Sequence, residues 1–284
     1  MTRPPSWIAS VALLLAGAPV AARDRIPRDL SVAETIEYLK SGGEDARREA
    51  CKRLGDRRER SAAPQVGALV LKDPSVRVRI SCVKALEEMG PNAVAAAYVR
   101  EAVLKDPDPK MRQEALDALA DVDPGGAGAV AAQVLLRDKE RAVRKQACRA
   151  IERRRWASAD AAAIKVVTDP TEREELRRAC LQAVVAIGSS QGYAVAHKMM
   201  TEAVDVDLRK EASAQIEHHP RPSSLPFLCK ALYDSNHHLA ANAVNGLRRL
   251  GRKEGAACLR EAARAVRSDR LAGNMNKVAG ELER

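Results

Sequence analysis

Aromatic residues are nearly absent from this 284-residue sequence, which contains one Phe, two Trp and four Tyr. A core without aromatic side chains must be built from Ala, Leu and Val, which favours closely packed helices over a β-sandwich or a barrel. The charged fraction of 30% excludes a membrane protein with many spans, and the apolar fraction of 46% excludes a wholly disordered chain. The sequence also lacks a Cys-x-x-Cys pair, a phosphate loop and a dinucleotide-binding fingerprint. Zinc-knuckle, thioredoxin-like and nucleotide chemistry therefore have no support.

Residues 1–22 have the pattern of a secretory signal peptide. A basic start at Arg3 is followed by an uncharged run from Trp7 to about Val20 and by small residues up to Ala22. The run is shorter than the roughly 20 residues that span a bilayer. We expect cleavage after Ala22 and export to a bacterial periplasm or beyond; the alternative is an uncleaved N-terminal anchor or a buried helix.

The rest of the chain repeats with a period of about 32 residues. An Arg recurs at separations of 32 or 33, and two weaker copies continue the phase with Ala. These anchors are Arg47, Arg79, Arg112, Arg144, Arg177, Arg209, Ala240 and Ala272. A mostly small residue stands three positions after each anchor and a larger apolar residue usually stands seven positions after it, which puts both on one face of a helix.

A second apolar stretch precedes each anchored helix, and Asp-Pro pairs such as Asp73-Pro74 mark a tight turn between the two. Each repeat is thus predicted to be a helical hairpin, with a first helix (A) and an anchored helix (B). A single hairpin cannot bury its own apolar face, so the hairpins must stack.

The turn Asp, the B-helix Arg and the Ala-x-x-Ala-Leu run resemble the HEAT repeat family, especially the short bacterial repeats that also occur in phycobilin lyases. The resemblance covers residues 30–284, after a lead of residues 23–29, and implies an all-α solenoid of about eight stacked hairpins. It also implies a structural ladder along the stack, which fails near the C-terminus because the last two repeats lack the Arg. The implied ladder consists of Asp73, Asp106, Asp138 and Asp169 with Arg79, Arg112, Arg144 and Arg177.

The six cysteines fall at repeat spacing. Their sequence separations are 31 for Cys51 and Cys82, 32 for Cys148 and Cys180, and 29 for Cys229 and Cys258. In the B helices, the fourth position after the anchor is polar only in the last repeat (Asn276) and, as an exception, at Ser213. A terminal repeat needs a polar outer face, so this position faces the following repeat. We therefore predict three disulfides between adjacent repeats, in an oxidising compartment; the alternative is reduced cysteines in Ala-like core sites.

The five histidines give no metal site. None belongs to a His-Glu dipeptide, the feature that would resemble the iron-binding HEAT hydroxylases. His218 and His219 end a B helix, whereas His237 and His238 lie near an A-to-B turn, so the two pairs are expected at opposite ends of their hairpins. We predict solvated histidines near loops, no metal and no cofactor.

The net charge of +10 is explained in part by cations at the ends of B helices, where they complement the helix dipole. The outward positions of the B helices are expected to line a concave surface that is basic in the middle and amide-rich towards the C-terminus. The candidates for partner binding on it are Lys145, Arg149, Arg178, Lys210, Asn242 and Asn245.

The leading hypothesis is a non-catalytic interaction scaffold of the bacterial envelope that binds a protein or peptide, with an acidic segment favoured. Nucleic-acid binding, as in HEAT-like DNA glycosylases, is an alternative that the net charge permits. Export and a single Trp after residue 22 argue against it. A chromophore-lyase-like subunit is a third hypothesis, which rests on resemblance of fold alone.

Overall fold

The computed structural model describes residues 26–284. The predicted signal peptide lies outside the described residues. Within residues 26–284 the chain forms sixteen α-helices and no β-strand, which confirms the predicted all-α, HEAT-like solenoid class of about eight hairpins. The hairpins are α1 (Val32–Ser41) with α2 (Glu44–Asp56), α3 (Ala63–Lys72) with α4 (Val76–Met89), α5 (Ala93–Lys105) with α6 (Pro109–Val122), α7 (Ala127–Arg137) with α8 (Arg141–Arg154), α9 (Asp160–Thr168) with α10 (Glu174–Ile187), α11 (Ser190–Glu202) with α12 (Val206–His218), α13 (Leu225–Ala231) with α14 (His237–Leu250), and α15 (Glu254–Ala265) with α16 (Asp269–Glu283). None of these helices is long and apolar enough to cross a membrane.

The chain divides into two compact units at Val130, within α7. In the first unit, the A helices α1, α3 and α5 pack in sequence, and so do the B helices α2, α4 and α6. In the second unit, α9, α11, α13 and α15 form the layer of A helices, and α8, α10, α12, α14 and α16 form the layer of B helices. Each unit therefore has two layers with its core between them.

The helix ends follow from short polar residues and from glycine. Ser31 caps α1 in a reciprocal capping box with Glu34. Asp108 accepts a hydrogen bond from the Met111 amide at the start of α6, where Pro109 occupies the first helical position. At the end of α10, Gly188 adopts a φ of 78°, a conformation in which a Cβ would be strained.

The core follows the predicted repeat phase. All residues three and seven positions after the anchors are buried, from Ala50 and Leu54 in α2 to Met275 and Ala279 in α16. Asn276 is exposed, as expected of a terminal repeat. Because the residue at the third position is usually Ala, neighbouring helices approach closely while the larger residue fills the remaining space.

Three disulfides join neighbouring hairpins, as predicted. Cys51–Cys82 links α2 to α4, and Cys148–Cys180 links α8 to α10, each with a Cα–Cα distance of 5.0 Å. These four residues are fully buried. Cys229–Cys258 links the A helices α13 and α15 at a Cα–Cα distance of 5.7 Å.

Candidate interaction surfaces

The Arg–Asp ladder is present in the first unit as a set of bidentate pairs. Arg47 donates from Nε and Nη2 to the two carboxylate oxygens of Asp73 at 2.6 and 3.0 Å. Arg79 holds Asp106 in the same way at 2.8 and 2.9 Å, and its Nη1 donates to the backbone oxygen of Asp73. Each guanidinium thus joins the turn of its own hairpin to the turn Asp of the next. Arg112 also bonds its own turn, through the backbone oxygens of Asp106 and Pro107.

The second unit departs from the implied ladder. The Arg144 guanidinium pairs with both carboxylate oxygens of Glu172 rather than with Asp169. Asp169 instead accepts hydrogen bonds from the backbone amide and the hydroxyl of Thr171, at 2.8 and 2.6 Å. These bonds hold the pKa of the Asp169 carboxyl below its usual range, with a smaller contribution from the charge of Arg177. Asp138 occupies the equivalent turn before α8, where its carboxylate accepts the amide of Glu140.

Arg177 is the rung that lacks a carboxylate. Its Nε donates to the Val167 carbonyl at 2.9 Å, and its Nη2 lies 4.0 Å from the Met199 sulfur. No carboxylate oxygen within residues 26–284 lies within 4 Å of its guanidinium nitrogens. Arg209 in the next repeat has Asp234 as its partner, at 3.6 Å. The ladder is therefore interrupted at Arg177, before the two repeats in which Ala replaces the anchor Arg.

Three of the six residues predicted to bind a partner gather around one carboxylate. Lys145 on α8 forms an ion pair with Glu175 on α10. That hydrogen bond, together with the charges of Lys145, Arg178 and Arg149, holds the pKa of the Glu175 carboxyl below its usual range. Arg178 is also paired with Glu174 on its own helix, at 3.2 Å. We call Lys145, Arg149 and Arg178 the basic cluster.

Arg149 is the least engaged member of the basic cluster. Its side chain is exposed on α8, and no carboxylate oxygen of the described chain lies within 4 Å of its guanidinium. The two other cations are partly neutralised by the glutamates next to them. Arg149 is therefore the cation most available to an incoming acidic group.

The other three predicted residues lie elsewhere on the B helices. Lys210 pairs with Asp207 of α12 at 3.0 Å. The Asn242 amide on α14 lies 2.9 Å from the hydroxyl of Ser213 on α12, which explains how a serine is accommodated at a buried position. Asn245 is half-buried on α14. The Asn242–Ser213 contact joins neighbouring B helices, whereas Lys210 pairs within its own helix. The basic cluster is therefore the part of the predicted surface where cations of two B helices come together.

An aromatic cluster between α11 and α13 was not anticipated. His197 was expected near a loop, but it is buried on α11, where it stacks on Phe227 at 4.3 Å between ring centroids. Its Nε2 lies 2.8 Å from the Ser224 hydroxyl, and burial lowers its pKa from 6.5 to about 4. Tyr193 contacts the His197 ring edge-on and lies under the Arg221 guanidinium. The repeat phase gave no signal for this packing.

The exposed histidines lie where the sequence placed them. His218 and His219 end α12, and His237 and His238 begin α14. Across residues 26–284, no group of three or more His, Cys, Asp or Glu residues has a geometry that could hold a metal ion.

Residues 188–192 match the letters Gly-x-Ser-x-Gly, the pattern of a hydrolase nucleophile. That chemistry requires a sharp turn from a strand into a helix. Here Gly188 ends the helix α10, Ser189 caps α11 by accepting the Gly192 amide at 2.8 Å, and Ser190, the serine of the pattern, is the first residue of α11. The pattern is a C-cap followed directly by an N-cap, and it positions no nucleophile of that kind.

Comparison with known proteins supports the repeat assignment. Residues 32–120 match the family model described as HEAT repeats, which confirms the predicted resemblance there. An X-ray structure of the Escherichia coli protein YibA is similar over 99% of this chain and 99% of its own, with 14% identity and a TM-score of 0.52. This likeness shows the fold alone. Among curated proteins, none matches the sequence.

Two further solved structures are similar at lower TM-scores. Human deoxyhypusine hydroxylase in complex with glycerol has 17% identity over 89% of this chain and 94% of its own, with a TM-score of 0.38. The complex of CpcE and CpcF of phycocyanin lyase from Nostoc sp. has 18% identity over 91% and 97%, with a TM-score of 0.36.

Proposed function

We propose that this chain, whose residues 32–120 match HEAT repeats, is a non-catalytic scaffold that binds an acidic segment of a protein or peptide. The observation that carries the proposal is the basic cluster. Lys145, Arg149 and Arg178 come from two successive B helices and converge on the single carboxylate of Glu175. Positive charge concentrated on an exposed helical face attracts an acidic partner and speeds its association.

The stacked helices favour binding through an extended surface. Each repeat contributes the outward side of one B helix, so consecutive repeats present a row of side chains to one partner. The inter-helix contacts Lys145–Glu175, Gln182–Glu211 and Asn242–Ser213 lie along the B helices of the second unit. Such contacts fix the side chains before a partner arrives, which reduces the entropy lost on binding.

The location that we propose is the bacterial periplasm or the outside of the cell. Three disulfides between neighbouring repeats are compatible with an oxidising compartment. The signal-like pattern of residues 1–22 supports the same compartment.

The proposal is tested by crosslinking and pull-down from the native envelope with a charge-reversed protein. Arg149→Glu combined with Arg178→Glu reverses the charge of the basic cluster. The matched control, Arg264→Glu combined with Arg267→Glu, makes the same change in net charge at exposed positions of α15 and the turn that follows it.

We expect the wild-type protein and the control to recover the same partner, with recovery that falls as salt rises. Recovery with the reversed cluster should fall at least to the level of the wild-type protein in high salt. Equal recovery by all three proteins would reject the basic cluster as the binding surface. Circular dichroism checks that the three proteins are equally folded.

A further inference from the structure

The interrupted rung at Arg177 has a cause in the sequence. In the complete rungs, the residue that ends the A helix of the next hairpin is Asp73 or Asp106. The equivalent residue after α11 is Ala203. Its backbone angles, φ −62° and ψ 131°, are nearly those of Asp106, at −59° and 133°. The turn thus has the same backbone as in the complete rungs, with an alanine in the place of the aspartate.

Neighbouring carboxylates do not replace that aspartate. Asp205 is the nearest candidate by position, but its carboxylate caps α12 by accepting the amides of Asp207 and Leu208 at 2.8 and 3.0 Å. The charge of Arg177 still contributes to lowering the pKa of the Asp205 carboxyl. Within residues 26–284, however, Nη2 of Arg177 has only the thioether of Met199, a weak acceptor, as a hydrogen-bond partner.

The preceding repeat shows how this guanidinium binds a carboxylate. Arg144 donates from Nε to the Leu135 carbonyl, as Arg177 donates to Val167. The two Nη atoms of Arg144 hold both oxygens of Glu172. Arg177 lines a cavity of about 490 Å³, together with Lys198, Glu202, Ala203, Val204 and Asp205.

We propose that this cavity binds the carboxylate of a Glu or Asp side chain presented by a protein or peptide partner. Arg177 takes the carboxylate bidentately, in the geometry that Arg144 and Glu172 display. Lys198, exposed on α11, adds a second cation. This inference deepens the proposed function and rests on it for the nature of the partner, but it places an anchor on the A-to-B turns rather than on the basic cluster.

The cavity also selects what lies beside the acidic group. Val204 is 96% exposed, far more than the other large apolar side chains of the described chain, and it borders the cavity. An apolar residue next to the ligand carboxylate would cover it. Glu202 and Asp205 also line the cavity. Arg177 can offset the charge of one incoming carboxylate, whereas each further carboxylate is repelled by Glu202 and Asp205 without a bidentate partner of its own. The structure therefore favours one acidic residue flanked by apolar residues over an acidic run.

A fluorescent peptide tests the assignment. The probe carries a single Glu between valines and is acetylated and amidated, so that the side chain is its only carboxylate; its partner probe has Gln in place of Glu. Binding is measured by anisotropy with the wild-type protein, Ala203→Asp and Ala203→Asn. The first variant supplies the missing internal carboxylate, and the second adds a side chain of the same size without the charge.

We expect wild-type protein to bind the Glu peptide about tenfold more tightly than the Gln peptide. Ala203→Asp should abolish this preference and raise the thermal unfolding midpoint, because it completes the rung. Ala203→Asn should keep most of the preference. Equal binding of the two peptides by the wild-type protein, no binding of either, or an unchanged preference in Ala203→Asp would overturn the assignment. A lower unfolding midpoint in Ala203→Asp would also overturn the assignment, because it would show that Arg177 does not pair with a carboxylate at this position.

The two proposals fail separately. Ala203→Asp leaves Arg149 and Arg178 unchanged, and the reversed basic cluster leaves Arg177 unchanged. A peptide result that overturns the cavity, together with a native partner lost only on charge reversal of the basic cluster, rejects the cavity and keeps the scaffold. A peptide result that supports the cavity, together with equal recovery of the native partner by the wild-type and the charge-reversed protein, keeps the cavity and rejects the basic cluster.

Discussion

At the scale of single residues, the effect of losing one partner of an Arg–carboxylate ion pair on stability depends on how exposed the pair is. The side chains of Arg79 and Asp106 are 8% and 5% exposed. Those of Arg260 and Glu283 are 43% and 46% exposed. A buried charge that loses its partner is left without water to replace it, whereas an exposed charge is simply hydrated.

Replacing Asp106 with Asn should therefore lower the free energy of unfolding by about 3 kcal/mol, because the Arg79 guanidinium stays buried without its counter-charge. Glu283→Gln, which breaks the exposed pair, should leave the unfolding curve unchanged within error. Urea denaturation of both variants measures the difference. Equal stabilities would contradict a structural role for the ladder.

His197 provides a prediction about pH. Its folded-state pKa of about 4 lies below the ordinary value of 6.5, so the unfolded chain takes up a proton first as the pH falls. The contribution of neutral His197 to the free energy of unfolding is complete above pH 6.5. About 3 kcal/mol of stability is lost as the pH falls from 6.5 to 4. His197→Gln, which keeps a polar partner for Ser224, should show a shallower loss of stability over this range. Parallel stability curves for the two proteins would contradict the assignment.

Sequence reasoning found the residues that obey the repeat and missed those that interrupt it. The anchor spacing located Arg79 and Asp106 because the pattern itself requires them. It did not identify Glu172 as the partner of Arg144, because that choice depends on Thr171 occupying the Asp169 carboxylate. The burial of His197 depends on Phe227, which lies in a neighbouring hairpin and has no fixed position in the pattern.

At the scale of elements, the disulfides join helices that already pack. Cys148 and Cys180 occupy buried sites of the B helices α8 and α10. The third position after the anchor, where Cys180 lies, holds alanine in several other repeats, such as Ala115 and Ala147, whereas the fourth position, where Cys148 lies, holds larger apolar residues such as Leu116 and Val244. Alanine is thus compatible with the packing at Cys180, and the main effect of the bond is to restrict the unfolded chain.

The double variant Cys148→Ala, Cys180→Ala should fold, and its free energy of unfolding should be lower by about 4 kcal/mol. The closed loop of 32 residues sets that magnitude. Guanidinium denaturation of the oxidised wild-type protein and the variant measures the loss. Mass spectrometry verifies that the variant keeps the remaining two bonds. With both proteins fully reduced, the difference in the free energy of unfolding that this bond causes should disappear.

The number and pairing of helices followed from two periodicities in the sequence. Apolar residues recur at the helical period within each helix, and the pair of helices recurs in each sequence repeat. The disulfide pairing followed from phase, since Cys51 and Cys82 fall on facing sides of adjacent B helices. Exposure along the B helices was less predictable. Lys145 and Lys210 were assigned to a binding surface, and both lie in ion pairs within the protein, which a pattern of single positions does not reveal.

At the scale of the whole molecule, the function that we propose depends on surfaces rather than on a catalytic centre. Two surfaces of the second unit are proposed to bind a partner: the basic cluster on the B helices and the cavity at the A-to-B turns. Both follow from the stacking of hairpins, because each joins side chains from successive repeats.

The most direct test of this account is the disulfide connectivity of protein purified from the compartment in which it resides, mapped by mass spectrometry without reduction. The account predicts three linked peptide pairs, Cys51 with Cys82, Cys148 with Cys180, and Cys229 with Cys258. Six free thiols would contradict the oxidising location, and cysteines paired between distant repeats would contradict the register of the hairpins.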